Sequence, residues 1–327
     1  MASRVIPLVV ACILAVPVAP AAQQAGKVYR IGVLEIVDAA SNSANLGAFR
    51  QGLAELGYVE GQSFAIEYRS ADGRPERLSD LATELVRLRV DVIVTRGTPA
   101  TLAAKRATQT IPIVMASSGD PVVEGIVASL ARPGGNVTGL YIVGPRELGG
   151  KRLRLLKEAV PGSSRIGILW NPADLYTPLI VRDTERTARA MGVQFKSLEV
   201  QRFAPFEEVF ETALFGQVDA LIVVEDYLTF TYQKRILEFA AMSRLPAIYG
   251  LREFVDAGGL MSYGTDRRDL YRRSATYVHR ILTGSRPADL PVEPPLKFEL
   301  AINLKTARFL GLTLPPALLR RADYIVQ

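Results

Sequence analysis

Past its N-terminal segment, the chain alternates short apolar runs with stretches whose apolar residues recur at helical spacing. Residues 31–34 are such a run, and Phe49, Leu53 and Leu56 then mark one face of a helix. Residues 64–68 predict the next strand. Leu78, Leu81, Ala82 and Leu85 follow at i, i+3, i+4 and i+7, the period of an amphipathic helix packed on a core. The runs 92–94 and 113–115 are apolar throughout, as strands are when helices cover both faces of their sheet. This strand–helix–strand order predicts a parallel α/β sheet.

The pattern is written twice. Arg30-Ile31-Gly32-Val33-Leu34 returns as Arg165-Ile166-Gly167-Ile168-Leu169, Val90-Asp91-Val92-Ile93-Val94 as Val218-Asp219-Ala220-Leu221-Ile222, and Ile111-Pro112-Ile113-Val114 as Leu245-Pro246-Ala247-Ile248. Three matches in order, at nearly constant offset and all on predicted strands, imply an α/β fold of two similar doubly wound parallel-sheet lobes. The length of 327 residues suits about two domains. Lobe I is expected over 28–144, ending where Pro145 breaks the chain before a helix over 146–156, and lobe II over 145–263. The four prolines Pro287, Pro291, Pro294 and Pro295 make 284–295 a surface crossover. Open α/β sheets bind ligands beyond the carboxyl ends of their strands. Two facing lobes would therefore line a cleft with six loops: 35–42, 96–100 and 116–121 from the first, and 170–175, 225–229 and 249–254 from the second.

Composition narrows the chemistry. Lys and Arg number 39 against 33 Asp and Glu, a net charge of +6, and the excess forms no basic run, so nucleic acid is not an expected partner. One Cys (Cys12) and one His (His279) exclude a disulfide framework and a Cys/His zinc site, and no metal or cofactor is expected. Residues 1–21 read as a secretory signal: Arg4 supplies the positive charge, 5–18 is almost wholly apolar, and Ala19-Pro20-Ala21 offers a cleavage site near Ala21. The apolar stretch is too short to span a bilayer. Cys12 follows Val9-Val10-Ala11, a loose lipoprotein-type context, but apolar sequence continues past it. A periplasmic protein without a thiol is the expectation.

The nominated loops offer binding groups rather than a catalytic set. Thr98-Pro99-Ala100 opens a helix, with Thr98 as a capping-type residue and Pro99 at its start, so free N–H groups there would favour a carboxylate or phosphate. Ser117-Ser118-Gly119-Asp120-Pro121 adds hydroxyls, with Asp120 a structural cap. Glu225 and Asp226 follow an apolar strand; an acid there suits an ammonium group or a helix cap. Tyr141, Trp170, Tyr176, Tyr227 and Tyr249 fall in or near the loops and could stack on an aromatic side chain. Arg252 and Glu253 read as a local ion pair, the carboxylates Glu207 and Glu208 as an exposed face, and His279 as a solvated helix residue. No nucleophile–base pair emerges, so the chain is not expected to be an enzyme.

Longer stretches carry a resemblance. They include Phe49-Arg50-Gln51-Gly52-Leu53 with Gly57-Tyr58-Val59-Glu60-Gly61-Gln62, Gly97-Thr98-Pro99-Ala100, Thr110-Ile111-Pro112-Ile113-Val114 and Gly119-Asp120-Pro121-Val122. Further along come Arg132-Pro133-Gly134-Gly135-Asn136-Val137-Thr138-Gly139, Asn171-Pro172, Arg252-Glu253-Phe254, Gly258-Gly259-Leu260-Met261-Ser262-Tyr263-Gly264, and Lys297-Phe298-Glu299-Leu300 with Ile302-Asn303-Leu304-Lys305-Thr306. With these the chain resembles the ABC-transporter substrate-binding proteins of the type I periplasmic-binding fold, the group related to tryptophan and aromatic amino-acid binding proteins.

The resemblance implies two lobes that close over one small molecule by hinge motion. It implies that the chain returns to lobe I over 264–285 and to lobe II over 286–327. Thr98 and Ser117 or Ser118 would hold a ligand carboxylate, and Asp226, with Glu225 as rival, its ammonium. Asn171 would add a polar contact. Three features depart from the family pattern: Trp170 for a small aliphatic residue, Tyr227-Leu228 for a Pro-aromatic pair, and a signal without twin arginines. The expected function is an extracytoplasmic receptor, acting as a monomer, that captures an amino acid or derivative and delivers it to an inner-membrane permease. A ligand-sensing input protein for a signalling partner and a secreted hydrolase are the alternatives.

Overall fold

A computed structural model describes residues 27–142, 147–201 and 206–327, the Glu207 side chain excepted. The expected signal segment with Cys12, the lobe boundary at Gly144 and Pro145 and the helix start at Arg146 lie outside these residues. The described helix there runs over Leu148–Ala159.

Lobe I is built from β1 (Tyr29–Glu35), α1 (Ser43–Glu55), β2 (Phe64–Ser70), α2 (Leu78–Arg87), β3 (Val92–Arg96), α3 (Thr98–Ala107), β4 (Ile113–Ser118) and β5 (Val137–Tyr141). Its five strands lie in the order β2-β1-β3-β4-β5, all parallel. Lobe II continues with α4 (Leu148–Ala159), β6 (Arg165–Trp170), α5 (Thr177–Ala190), β7 (Gln194–Glu199), α6 (Phe206–Phe215), β8 (Ala220–Val223), α7 (Tyr227–Thr231), α8 (Gln233–Met242), β9 (Ala247–Tyr249), α9 (Arg252–Asp256) and β10 (Met261–Thr265). After α10 (Arg267–Leu282) come β11 (Phe298–Asn303), α11 (Leu304–Phe309), α12 (Pro316–Arg320) and β12 (Tyr324–Val326). The second sheet runs β12-β11-β10-β9-β8-β6-β7. Its β7-β6-β8-β9-β10 portion repeats the strand order of lobe I. Among the described strands only the β10–β11 pairing is antiparallel.

The sequence repeat has a structural counterpart in one device used in both lobes. The Arg30 N–H donates to the Asp91 carboxylate at 2.8 Å while the Asp91 N–H donates to the Arg30 carbonyl. The Arg165 N–H donates to Asp219 at 2.8 Å, and the Asp219 N–H returns to the Arg165 carbonyl. Each Asp thus locks the first strand of its lobe to the third. Ile31, Val92, Val94 and Val114 in one lobe, and Ile166, Ile168, Ile222 and Ile248 in the other, are buried as their apolar runs require. The α2 stripe of Leu78, Leu81, Ala82 and Leu85 is likewise buried.

The lobes exchange elements. Helix α10 packs on α1, β4 and β5 of lobe I, whereas β11 and β12 complete the sheet of lobe II. The chain leaves lobe I later than the first proline of 284–295: the Val292 N–H still donates to the Leu130 carbonyl, and Glu293 bridges Leu140. The crossings lie side by side, with the Thr265 hydroxyl on the Ile142 carbonyl and the Asp266 N–H on that of Lys297. His279, expected to be solvated, is half-buried on α10 with Nδ1 3.0 Å from the Tyr58 hydroxyl, where it fastens α10 to the α1–β2 turn.

Gly264 in β10 lets that strand lie against Gly250, whose carbonyl oxygen would sit 1.9 Å from an added Cβ. Gly264→Ala is expected to lower the urea midpoint, with a loss of about 1–3 kcal/mol or more, the range for forced overpacking.

Candidate functional site

A cavity lies between the lobes at the carboxyl ends of both sheets, with Thr98, Pro99, Ser117 and Ser118 on one wall and Glu225 and Asp226 on the other. The structure therefore brings together six of the eight sequence-nominated residues.

On lobe I, Gly97 turns the end of β3 directly into α3 with φ of 82°, a conformation that favours glycine. Its N–H donates to the Ser117 carbonyl at 2.6 Å, which joins the two loops. Gly97, not Thr98, is the cap of α3, and Thr98 is its first residue. The Thr98 hydroxyl accepts the Gly119 N–H at 3.1 Å and lies 3.4 Å from the Ser118 hydroxyl. The first-turn N–H groups of Thr98 and Ala100 have no carbonyl one turn back, and the helix dipole adds partial positive charge there. This wall can hold an anion with hydroxyls and amides alone. Asp120 closes a turn rather than capping a helix: it accepts from the N–H groups of Val122 and Val123, and 121–125 is not helical.

On lobe II, the neighbours Glu225 and Asp226 have separate fates. Glu225 faces Arg152, a fully buried residue, whose Nη1 and Nη2 donate to its two oxygens at 2.5 and 2.7 Å. Arg152 Nε donates to the Tyr263 carbonyl. Gly250 leaves room for this pair, since an added Cβ would meet Glu225 at 2.0 Å. Asp226 caps α7 with a reciprocal bond to Thr229, and its other oxygen accepts from Asn171 Nδ2 at 2.6 Å. Burial pushes the Asp226 carboxyl above its usual range, against the donors from Thr229 and Asn171. No ion pair to Asp226 occurs among the described residues. Asn171 is itself buried, with Oδ1 on the Ala173 N–H, and positions Asp226 from behind the cavity wall.

Tyr249 is not on the cleft. Its ring is buried in the lobe II core, stacked on Phe254 at 4.6 Å. Trp170 also turns away, donating to Ser197. Tyr176 and Tyr227 do line the cavity. Arg252 and Glu253 do not pair with each other: Arg252 reaches Glu299 and Asp256, while Glu253 accepts from Arg267 at 2.7 Å and Asn45 at 3.2 Å.

Four charged wall residues were not among the sequence candidates. Asp174 lay inside a nominated loop, three residues ahead of Thr177, a spacing that signals a cap. Its carboxylate accepts from the N–H groups of Tyr176 and Thr177, and burial, then Asp226 and Glu225, push its carboxyl up. Glu124 lines the cavity from lobe I. Arg96 lies with its guanidinium 4.4 Å over the Phe230 ring, donates to Asn42 at 3.0 Å and stands 3.6 Å from Glu253. Arg267 joins it on Glu253. Glu35, Asn42, Tyr68 and Tyr271 continue this buried polar network into lobe I. Glu253 is the lobe II member held by Arg96, Arg267 and Asn45 of lobe I.

Two discontinuous α/β lobes with polar groups at their facing strand ends have the architecture of a solute-binding protein. Residues 30–326 match the ABC transporter substrate binding protein family, and the chain belongs to it. The Tyrosine-binding protein of Clostridioides difficile (strain R20291) is 26% identical over 282 residues, covering 86% of this chain and 81% of that one. A domain from Streptococcus pneumoniae solved in complex with L-Trp is 27% identical with a TM-score of 0.80, covering 92% of this chain and all of that one. A conserved domain protein from Vibrio cholerae O1 has the same TM-score at 28% identity, covering 91% and 100%. No helix among the described residues is long and apolar enough to cross a membrane.

Two measurements test the network. Glu225→Gln would leave the Arg152 guanidinium buried without its counter-ion. A loss of about 3–5 kcal/mol in denaturant unfolding is expected, with Asp226→Asn costing clearly less. Burial opposes ionisation of Glu253, but the Arg267 and Arg96 guanidiniums hold its carboxyl down to about 2. Its folded value lies below the ordinary Glu value of about 4.3. The stabilisation is therefore fully present above that value and is lost as pH falls toward 2. Glu253→Gln should flatten the acid limb of a melting temperature–pH profile.

Proposed function

We propose that this chain is the exported receptor of an ABC importer for an amino acid with an aromatic side chain. The observation that carries this reading is the opposite polarity of the two cavity walls. Lobe I offers Thr98, Ser118 and helix N–H groups to a carboxylate; lobe II offers Asp226 and Asp174 to an ammonium. A zwitterion satisfies both walls at once. Tyr176, Tyr227, Phe230 and Leu251 leave an aromatic and apolar flank for the side chain. The tyrosine and L-Trp named for the relatives fit this flank. The N-terminal charge and apolar pattern supports export to the periplasm with cleavage near Ala21. Family membership supports delivery to a membrane permease, and the protein acts as a monomer, since both walls come from one chain.

The test is a thermal shift of the purified mature protein with L-tyrosine, L-tryptophan, a sugar and a purine, after mass spectrometry of molecules released on denaturation. A true ligand at 100 times its Kd stabilises by about 2.7 kcal/mol. L-tyrosine or L-tryptophan should raise the melting temperature. Asp226→Ala should weaken that ligand by about 2–5 kcal/mol, roughly thirtyfold to several-thousandfold. A shift from the sugar or purine with none from either amino acid would replace this reading.

A further inference from the structure

Glu124 sits on the loop after β4, in the wall that separates the cleft cavity from an outer cavity. Thr98, Pro99, Asp174 and Tyr227 share that position. A Cβ added to Gly119 would stand 2.8 Å from the Thr98 hydroxyl and 3.7 Å from Glu124 Oε1, so the carboxylate lies beside the turn that carries the expected anion contacts. The Glu124 N–H donates to the Asp120 carbonyl, but among the described residues its carboxylate has no hydrogen bond or ion pair.

The surroundings of Glu124 are acidic on both lobes. Asp120 lies on its own turn, and Asp174 and Asp226 line the same cavity from lobe II. Glu225 is neutralised by Arg152. Tyr176 and Tyr227 bring phenols to the same cavity. Lys105 is engaged by the Gly125 and Ile126 carbonyls, and Arg106 lines the outer cavity but not the cleft cavity. Arg96 and Arg267, at the far end of the cleft, share Glu253. Burial, then Asp174 and Asp120, raise the Glu124 carboxyl.

We propose that Glu124 of lobe I joins Asp174 and Asp226 of lobe II in a three-carboxylate cage that grips the primary ammonium of the ligand and makes lobe closure depend on it. This rests on the amino-acid reading above. An ammonium carries three N–H donors, and three carboxylates from two lobes can accept them. In an α-amino acid that ammonium is adjacent to the carboxylate, so one bound at Thr98 and Ser118 places the cation beside Glu124. Closure without a cation brings like charges together across the cleft. Protons relieve that repulsion in the empty protein, and the ammonium displaces them. Affinity therefore rises with pH through the carboxylate range and levels off once the acids are ionised. An N-methylated amine, one donor short, is discriminated against.

The test is calorimetric titration of L-tyrosine and N-methyl-L-tyrosine at about pH 5 to 8, in two buffers of different ionisation heat. Wild type should release protons on binding, bind L-tyrosine more tightly as pH rises, and bind the N-methyl compound at least tenfold more weakly. Glu124→Gln should lose tenfold or more for L-tyrosine, release fewer protons and discriminate less against the N-methyl compound. Glu124→Ala, checked by its melting temperature, gives the same readouts should the first variant not fold. An affinity loss with unchanged proton release and discrimination overturns the cage, as does a variant equal to wild type. If wild type binds neither L-tyrosine nor L-tryptophan, the amino-acid reading falls and the cage with it; binding by wild type with no effect of the variants removes the cage alone.

Discussion

A guanidinium with no exposed surface remains charged in a protein core only if its donors are answered, and those of Arg152 are answered from two directions. Glu225 takes two bonds from the end of β8, and the Tyr263 carbonyl of β10 takes a third. Arg152 itself comes from α4, the first described helix of lobe II. The pair fixes where the lobe II strands end relative to one another, and the glycines at 250 and 264 are the space it occupies. One residue beyond this anchored carboxylate the chain turns into α7, so Asp226 meets the cleft from a position with little freedom.

The charge arrangement follows from that anchor. At the end of the cleft near the crossings, Arg96 and Arg267 share Glu253, and the same ions tie lobe to lobe. At the mouth, the carboxylates of Glu124, Asp174 and Asp226 lack such partners among the described residues. The cavity is thus internally balanced at one end and acidic at the other. A ligand with a cationic group has a defined way round in it.

Much of the fold was legible because buried parallel strands are written as continuous apolar runs. The paired Asp91 and Asp219 made the duplication visible, since each holds the same position in the same device. The six nominated loops do contain most of the cavity wall. The sequence did not disclose which way a side chain turns at a strand end. Beyond the end of β8 the chain leaves the strand, and Glu225 turns to Arg152 while Asp226 caps α7 and faces the cleft. Tyr249 illustrates the same limit: it ends β9 in a nominated position, yet its ring points into the core on Phe254. Glu253 was hidden for a different reason. Its partners Arg96 and Arg267 lie in another lobe, and adjacency to Arg252 suggested a local pair that the structure does not form.

The exchange of α10 against β11 and β12 also governs the order in which the molecule can be assembled. Lobe I is capped by residues 267–282, made after nearly all of lobe II, and the lobe II sheet is closed by the final strand 324–326. A chain emerging from its N-terminus therefore cannot complete either half early. Any pause before α10 appears leaves the apolar face of α1 and the β4–β5 edge uncovered. Each lobe thus takes its last element from chain that follows the other, which couples the packing of the two halves.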